Sequence, residues 1–172
     1  MIDPPILYGQ GAQTIRWVPV DELGHPRAIS SATYAIVDLR EGESTSRRAV
    51  VASTAATAPT VATTTTADAG PSTANPRAVA LTSATGVRVG GVYLLRDTTG
   101  AVEESCTVLR LVSTAVELTR PLTRAFATGA AFVGLELSGT FPSDVANDEQ
   151  RLDGGGGAFQ VAWTYTVGSV VY

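Results

Sequence analysis

The chain has 172 residues, of which 44% are hydrophobic and only 16% are charged, so it is long enough for one domain or two small ones and can bury a core. Its net charge is −4, its basic residues are all Arg, and its longest basic run is Arg47–Arg48, which argues against tight binding of nucleic-acid phosphates. The single cysteine, Cys106, excludes an intrachain disulfide framework.

The N-terminal part, residues 1–52, is predicted to contribute strands to a β-sheet module. Residues 1–11 include Pro4–Pro5, which forbids helix and favours an extended arm. Alternating residues then predict strands over Gln13–Val20 and Thr33–Arg40, and a third strand is expected near Arg48–Ser53. The opening residues show no basic start followed by a long apolar run, and no stretch approaches about 18 consecutive apolar residues, so neither a signal peptide nor a membrane span is expected.

Residues 53–76 differ in composition from the rest of the chain. They are almost entirely Ala, Thr, Ser, Pro and Gly, and so lack the bulky side chains whose burial offsets the entropy lost on ordering. This composition predicts a linker or long extended loop at a module boundary, with a short strand possible near Val61–Thr66.

Residues 77–137 read as a small β-barrel. Short apolar runs recur about every ten residues, and each is closed by a turn. The expected strands include Val92–Arg96, Val102–Val112 and Val116–Arg120, and the last of these ends where Pro121 has no N–H to donate to a ladder. Four or five strands with tight links are typical of a meander that curls on itself.

The C-terminal part, residues 138–172, is predicted to contain one short helix, a hinge and a strand. The helix is expected over Asp144–Leu152 and the flexible hinge at Gly154–Gly157. Phe159–Val167 alternates strictly, with its aromatic residues on one face, and it needs a partner sheet. We therefore expect an all-β fold, in which both chain ends build one sheet module and a small barrel is inserted between them.

No group of residues predicts a catalytic, cofactor-binding or metal site. His25, the one histidine, lies in a Gly-His-Pro turn without a neighbouring nucleophile or second ligand. Glu103 and Glu104 are adjacent on a strand and so point to opposite faces, which favours a solvated edge, as for Glu117. The acidic group Asp144, Asp148, Glu149 and Asp153 does not match a calcium-binding loop. By elimination, the sequence predicts a protein that is not an enzyme and carries no cofactor.

The central stretch resembles a β module found in virion proteins of tailed bacteriophages. The resemblance lies in an apolar strand at Gly91–Leu95, a turn at Asp97–Gly100, an acidic and apolar strand at Glu103–Val112, and a strand that ends in proline at Val116–Pro121. It covers residues 77–137 well and the chain ends loosely, and it transfers no catalytic residues.

The resemblance implies a structural subunit of the virion, assembled in the host cytoplasm, that forms a homo-oligomeric ring in the head–tail neck as a connector or adaptor. The implied neighbours are virion proteins such as the portal, tail terminator or tube, and DNA would pass without specific binding. The alternative is a baseplate or tail-tip component, including a module that binds carbohydrate or host. The N-terminal arm and residues 53–76 would then be elements that become ordered on assembly.

Overall fold

The computed structural model describes residues 12–29, 31–38, 49–142, 159–167 and 170–171. These residues are all-β and contain no helix. The chain divides into two compact units, each described by itself below. The expected N-terminal arm, the helix at 144–152 and the glycine hinge at 154–157 lie outside the described residues.

Unit 1 takes Met1–Trp17, Ile29–Ala58 and Leu137–Tyr172, and unit 2 takes Val18–Ala28 and Pro59–Glu136. The strands of the described residues are, in chain order, β1 (Gln13–Trp17), β2 (Ala32–Asp38), β3 (Ala49–Ala55), β4 (Ala62–Thr64), β5 (Ala78–Ala80), β6 (Val92–Arg96), β7 (Glu103–Val112), β8 (Ala115–Leu118), β9 (Ala131–Gly134), β10 (Leu137–Phe141), β11 (Phe159–Val167) and β12 (Val170–Val171).

The main sheet of unit 1 is built from both ends of the chain. Its strand order is β12-β11-β2-β3, and β11 pairs antiparallel with β2 from Phe159 opposite Asp38 to Tyr165 opposite Ala32. The side chains of residues 159–166 in β11 alternate between partly or fully buried and exposed positions, as the sequence pattern predicted. The C-terminal strand therefore pairs with a strand before residue 55, which was the pairing expected from the sequence.

Aromatic side chains join this sheet to a second, two-stranded one. β1 pairs antiparallel with β10, so that Trp17 lies opposite Leu137. The rings of Trp17 and Trp163 stack with centroids 5.9 Å apart, and those of Phe141 and Phe159 meet edge to face at 5.0 Å. Such pairs add about 0.5–1.5 kcal/mol each beyond the burial of their area. The two tryptophans of the chain thus belong to the core of unit 1.

Tyr34 fixes how the two sheets of unit 1 meet. Its hydroxyl accepts a hydrogen bond from the N–H of Thr140 at 2.9 Å and donates one to the carbonyl of the same residue at 3.3 Å. Its ring lies so close to Gly139 that a Cβ there would be 2.7 Å from a ring carbon. The absence of a side chain at residue 139 therefore allows the buried tyrosine ring to lie across β10 and reach the backbone groups at its edge.

The sheet of unit 2 is a curled half-barrel of six antiparallel strands. Its order is β4-β9-β6-β7-β8-β5. The concave side holds the largest core of the described residues, with Phe126, Phe132, Leu95 and Leu118 almost completely buried. Two further hydrogen bonds link the ends of β4 and β5: the N–H of Thr66 donates to the carbonyl of Ala80, and the N–H of Thr82 donates to that of Thr64, at 2.9 and 2.8 Å.

Residues 53–76, expected to form a linker or extended loop, are held to the rest of the fold by backbone contacts. β3 continues to Ala55, β4 lies within the segment, and Ala69 exchanges two backbone hydrogen bonds with Phe126, at 2.9 and 2.7 Å. A Cβ on Gly70 would lie 2.8 Å from the Cα of Ala125. The two units divide between Ala58 and Pro59, inside this segment, and the short strand expected near Val61–Thr66 is β4. The sequence did not show that small residues hold the segment in place through close backbone approach and hydrogen bonds.

The segment Val18–Ala28 also differs from expectation, because it belongs to unit 2 instead of the N-terminal sheet module. β1 ends at Trp17, two residues before Pro19, and Val20 then forms an isolated bridge with Pro26. Proline lacks the N–H that a longer β1 would need, so the chain leaves the β1–β10 pair at this point.

Gly139→Ala is expected to destabilise unit 1 by about 1–3 kcal/mol, because the new methyl group overlaps the Tyr34 ring. The measurement is urea unfolding followed by tryptophan fluorescence, which reports this unit alone because both tryptophans lie in it. Thr140→Ala is the matched control, since it alters an exposed side chain on the same strand and keeps the backbone groups that bind Tyr34. Equal midpoints for the two variants would contradict the packing argument.

Thr65→Val is expected to destabilise unit 2 by about 1–2 kcal/mol, although the two side chains are nearly isosteric. The buried Thr65 hydroxyl donates to the carbonyl of Ala127 and accepts from the N–H of Ala130, both at 3.1 Å, and valine can do neither. Hydrogen exchange at the amides of Leu95 and Leu118 measures the opening of this core. Thr66→Val, at an exposed position, is the control, and the same loss of protection in both variants would rule out a role for the Thr65 hydroxyl.

Candidate functional site

A groove in unit 2 runs along one edge of β7. It has a volume of about 640 Å³. Four consecutive residues of β7, from Glu104 to Thr107, line it. Successive side chains of a strand point to opposite faces, so a surface lined by four in a row includes the edge of the strand. Val92 of the neighbouring β6 also lines the groove, which therefore covers part of one face of the sheet as well. The groove exists because β7 has ten residues and β8 only four, so that β8 covers the C-terminal part of β7 alone.

One wall of the groove is the turn that follows β1, which contributes Val18, Val20 and Pro26. Asp21 holds this turn together by accepting hydrogen bonds from the N–H groups of Leu23 at 3.0 Å and His25 at 2.9 Å, and from Arg27 Nε at 2.9 Å. These hydrogen bonds keep the pKa of the Asp21 carboxyl below its ordinary value, and the bond from the His25 N–H has the largest effect.

His25 lies in this turn with an exposed side chain, its Nδ1 3.6 Å from the Asp21 carboxylate. It therefore lies in an exposed turn, as the sequence predicted, and its ring has the Asp21 carboxylate as a neighbour.

Arg27 ties the turn to β7. Arg27 lies 2.8 Å from Asp21 and 3.8 Å from Glu103, and Glu103 also pairs with Arg96 on the neighbouring strand. The expectation that Glu103 belongs to a solvated edge was therefore wrong. Its carboxylate links the turn, β6 and β7, because two guanidinium groups from different parts of the chain converge on it. Likewise, Glu117 pairs with Arg110 across the β7–β8 hairpin.

The other wall is the segment Thr119–Thr123, which leaves the sheet after β8. Glu104 holds it in place, because its carboxylate accepts hydrogen bonds from the N–H groups of Thr123 at 2.9 Å and Arg124 at 3.0 Å. Glu104 is thus also not simply solvated. The two adjacent carboxylates do point to different partners, as expected for neighbours on a strand. Their arrangement supports the walls of the groove and does not place two carboxyl groups around one reacting atom.

Cys106 lies in the wall of the groove and packs partly against the core of unit 2. Burial, and secondarily the nearby Glu104 carboxylate, raises its pKa to about 12. A thiol with this pKa is protonated at neutral pH, so it is a poor nucleophile and a poor metal ligand there.

No three His, Cys, Asp or Glu side chains within the described residues come together as a group that could hold a metal ion. The acidic group at 144–153 lies outside those residues.

Gly90 and Gly91 precede β6 and extend its hydrogen-bonded ladder with β7, through hydrogen bonds with Val108 at 2.7 and 3.1 Å.

A second surface feature is a group of exposed apolar side chains at the end of the β7–β8 hairpin, named here the hairpin patch. It consists of Leu109, Leu111 and Val112, which are 46, 41 and 52% exposed, together with Val89 at 52%. Leu111 and Val112 are successive residues of β7 and point to opposite faces, so the group surrounds the end of the hairpin. Val89 is adjacent to Leu109 because the N–H of Gly90 bonds to the carbonyl of Val108. Exposed apolar clusters of this kind mark interaction surfaces more often than scattered single residues do.

Sequence reasoning missed the groove, although a signal for it was present. The predicted strand Val102–Val112 is longer than the predicted Val116–Arg120, and Pro121 ends the shorter one. A long strand beside a short one leaves part of an edge uncovered.

Comparisons of the chain with protein-family models, with curated proteins and with solved structures each gave no significant match. Among the described residues, no helix is long and apolar enough to cross a membrane.

Alkylation of Cys106 by iodoacetamide at pH 8 is expected to be roughly a thousandfold slower in the folded protein than in urea, because the thiolate is the reacting form. The raised pKa of Cys106 also makes the stability of the folded state depend on pH. The unfolded chain releases the thiol proton near the ordinary pKa of about 8.5, so the folded state loses stability as the pH rises above that value.

Mass spectrometry of the quenched reaction gives both alkylation rates. Glu104→Gln removes only the secondary cause of the raised pKa, and so should increase the folded-state rate modestly. Equal rates in the folded and unfolded protein would show that the thiol is not suppressed by its surroundings.

Proposed function

We propose that the chain is a non-enzymatic structural subunit of a tailed-bacteriophage virion. It forms an oligomeric ring in the neck between head and tail, as a connector or adaptor, and DNA passes through the ring without specific binding. Its neighbours are other virion proteins, such as the portal, the tail terminator or the tube.

The observation that carries this proposal is the hairpin patch. Four of the large hydrophobic side chains that are exposed in the described residues lie at or beside the end of this hairpin. The Arg110–Glu117 ion pair lies on the same hairpin and provides polar groups next to them. Apolar residues with a polar rim are the usual arrangement at a contact between proteins. Identical copies that join through two different surfaces close into a ring when the rotation between neighbours closes.

The unit 2 sheet supplies the compact body that such a subunit needs. We infer that it closes as a small barrel, as expected from the sequence. The support is the pair of hydrogen bonds between its two edge segments, from Thr66 to Ala80 and from Thr82 to Thr64. Closure leaves no free sheet edge at β4 and β5. A protein with few free edges binds its neighbours through specific surfaces and is less prone to aggregate through edge-to-edge pairing.

The acidic balance of the chain suits a lumen crossed by DNA. With a net charge of −4 and no Lys, the surface repels phosphates over distances up to about a Debye length and gives DNA few attachment points.

The purified protein is expected to form rings visible by negative-stain electron microscopy, with a mass by light scattering that is a multiple of 17.7 kDa. Replacing Leu109 and Leu111 together by Ser should shift the protein to monomers, because it removes the apolar contact. Leu23→Ser is the control, since Leu23 is 79% exposed but lies outside the patch.

Near-UV circular dichroism verifies that each variant is folded. A folded wild-type protein that stays monomeric at all concentrations would refute the ring, and specific binding to a glycan array by that monomer would favour the tail-tip alternative.

A further inference from the structure

The groove exposes backbone groups of β7 that no strand of the described residues uses. Val108 bonds to Gly90 and Gly91, on the side of β6. Backbone groups alternate in direction along a strand, so those of Ser105 and Thr107 face the opposite side. There, the N–H of Thr119 donates to Thr107 at 2.9 Å, and the pairing with β8 begins only at Val108. The edge of β7 before Thr107 therefore opens into the groove without a partner strand within the described part of the chain.

We infer that this edge accepts an extended segment from a second copy of the chain, as an added strand, and that the segment is Ile6–Tyr8. The inference rests on the proposed ring subunit, because it names a contact between copies. Strand addition to an exposed sheet edge is a common mode of peptide recognition. Main-chain hydrogen bonds provide affinity, and the walls of the groove select the side chains.

The walls of the groove match this segment in polarity. Val18, Val20 and Leu122 give an apolar lining, and the incoming residues Ile6, Leu7 and Tyr8 are apolar or aromatic. Pro4–Pro5 precedes them and restricts the chain to extended conformations, which lowers the entropy lost on docking.

The charges of the groove and of the N-terminal segment are also complementary. Arg120 lines the groove, and Arg124 lines an adjoining cavity of about 290 Å³ that shares Pro26 and Ser105 with it. Neither guanidinium forms an ion pair within the described residues, whereas Glu104 is occupied by backbone N–H groups. The only charged side chain in residues 1–10 is Asp3, three residues before Ile6. An acidic residue at that distance can reach an arginine beyond the end of the added strand.

Disulfide trapping between two versions of the full-length chain tests this contact. Both carry Cys106→Ala. One also carries Ile6→Cys or Leu7→Cys, which cover both faces of an added strand, and the other carries Ser105→Cys and a tag that changes its mass. After mixing and mild oxidation, a non-reducing gel should show the mixed dimer with at least one of the two arm positions. Ser72→Cys, also exposed but outside the groove, is the matched control and should give about tenfold less product, because proximity raises the effective concentration.

Charge exchange provides a second measurement. Arg120→Glu should reduce the yield of the mixed dimer several-fold, and Asp3→Arg on the other version should restore it. Arg77→Glu, at an exposed position outside the groove, should leave the yield unchanged.

The outcomes separate this inference from the proposed ring. Mixed dimers without rings in the microscope would support the strand addition and refute the ring. Rings without mixed dimers would refute the strand addition. A chain carrying both cysteines that closes only on itself would show that the segment docks within its own copy, which also overturns the inference.

Discussion

The pairing of β11 with β2 is the constraint on which the rest of unit 1 depends. It joins residues more than 120 positions apart in seven registered pairs, so its formation requires a long loop to close before any contact rewards it. The pairing fixes which face of β11 carries Trp163 and Tyr165, because a shift of one residue would turn both rings outward. Those rings then form the floor on which Trp17 packs, and the β1–β10 pair is placed by that contact.

Tyr34 converts this loose stacking of aromatic rings into one defined arrangement. Apolar packing alone has little directional preference, whereas the tyrosine hydroxyl satisfies both the donor and the acceptor of Thr140. Gly139 makes that geometry possible, because any side chain there would occupy the space of the ring. Unit 1 thus uses one polar contact to select among the many ways in which its apolar residues could pack.

The sequence allowed the strands with regular alternation to be predicted, but not the parts held by backbone contacts. Phe159–Val167 was identified with its correct buried face, since the period of two is visible in the residues themselves. The contacts that hold residues 53–76 could not be predicted, because the close approach at Gly70 and the hydrogen bonds of the Thr65 hydroxyl involve residues about 60 positions away. The unequal lengths of two predicted strands indicated an uncovered edge, but not the walls of the groove, because Glu104 and Arg27 have partners that only the fold brings near.

The long β7, part of whose edge has no partner strand among the described residues, is a liability that the chain manages instead of removing. An exposed edge invites pairing with any extended chain, and a protein can blunt it with charge, proline or a covering segment. Here, Glu103 and Glu104 stand at the start of the strand, and each is held by groups from another segment. The turn with Val20 and the segment with Leu122 both line the groove into which this edge opens. Covering segments of this kind hinder edge-to-edge pairing with another sheet, which is the usual hazard of an exposed edge.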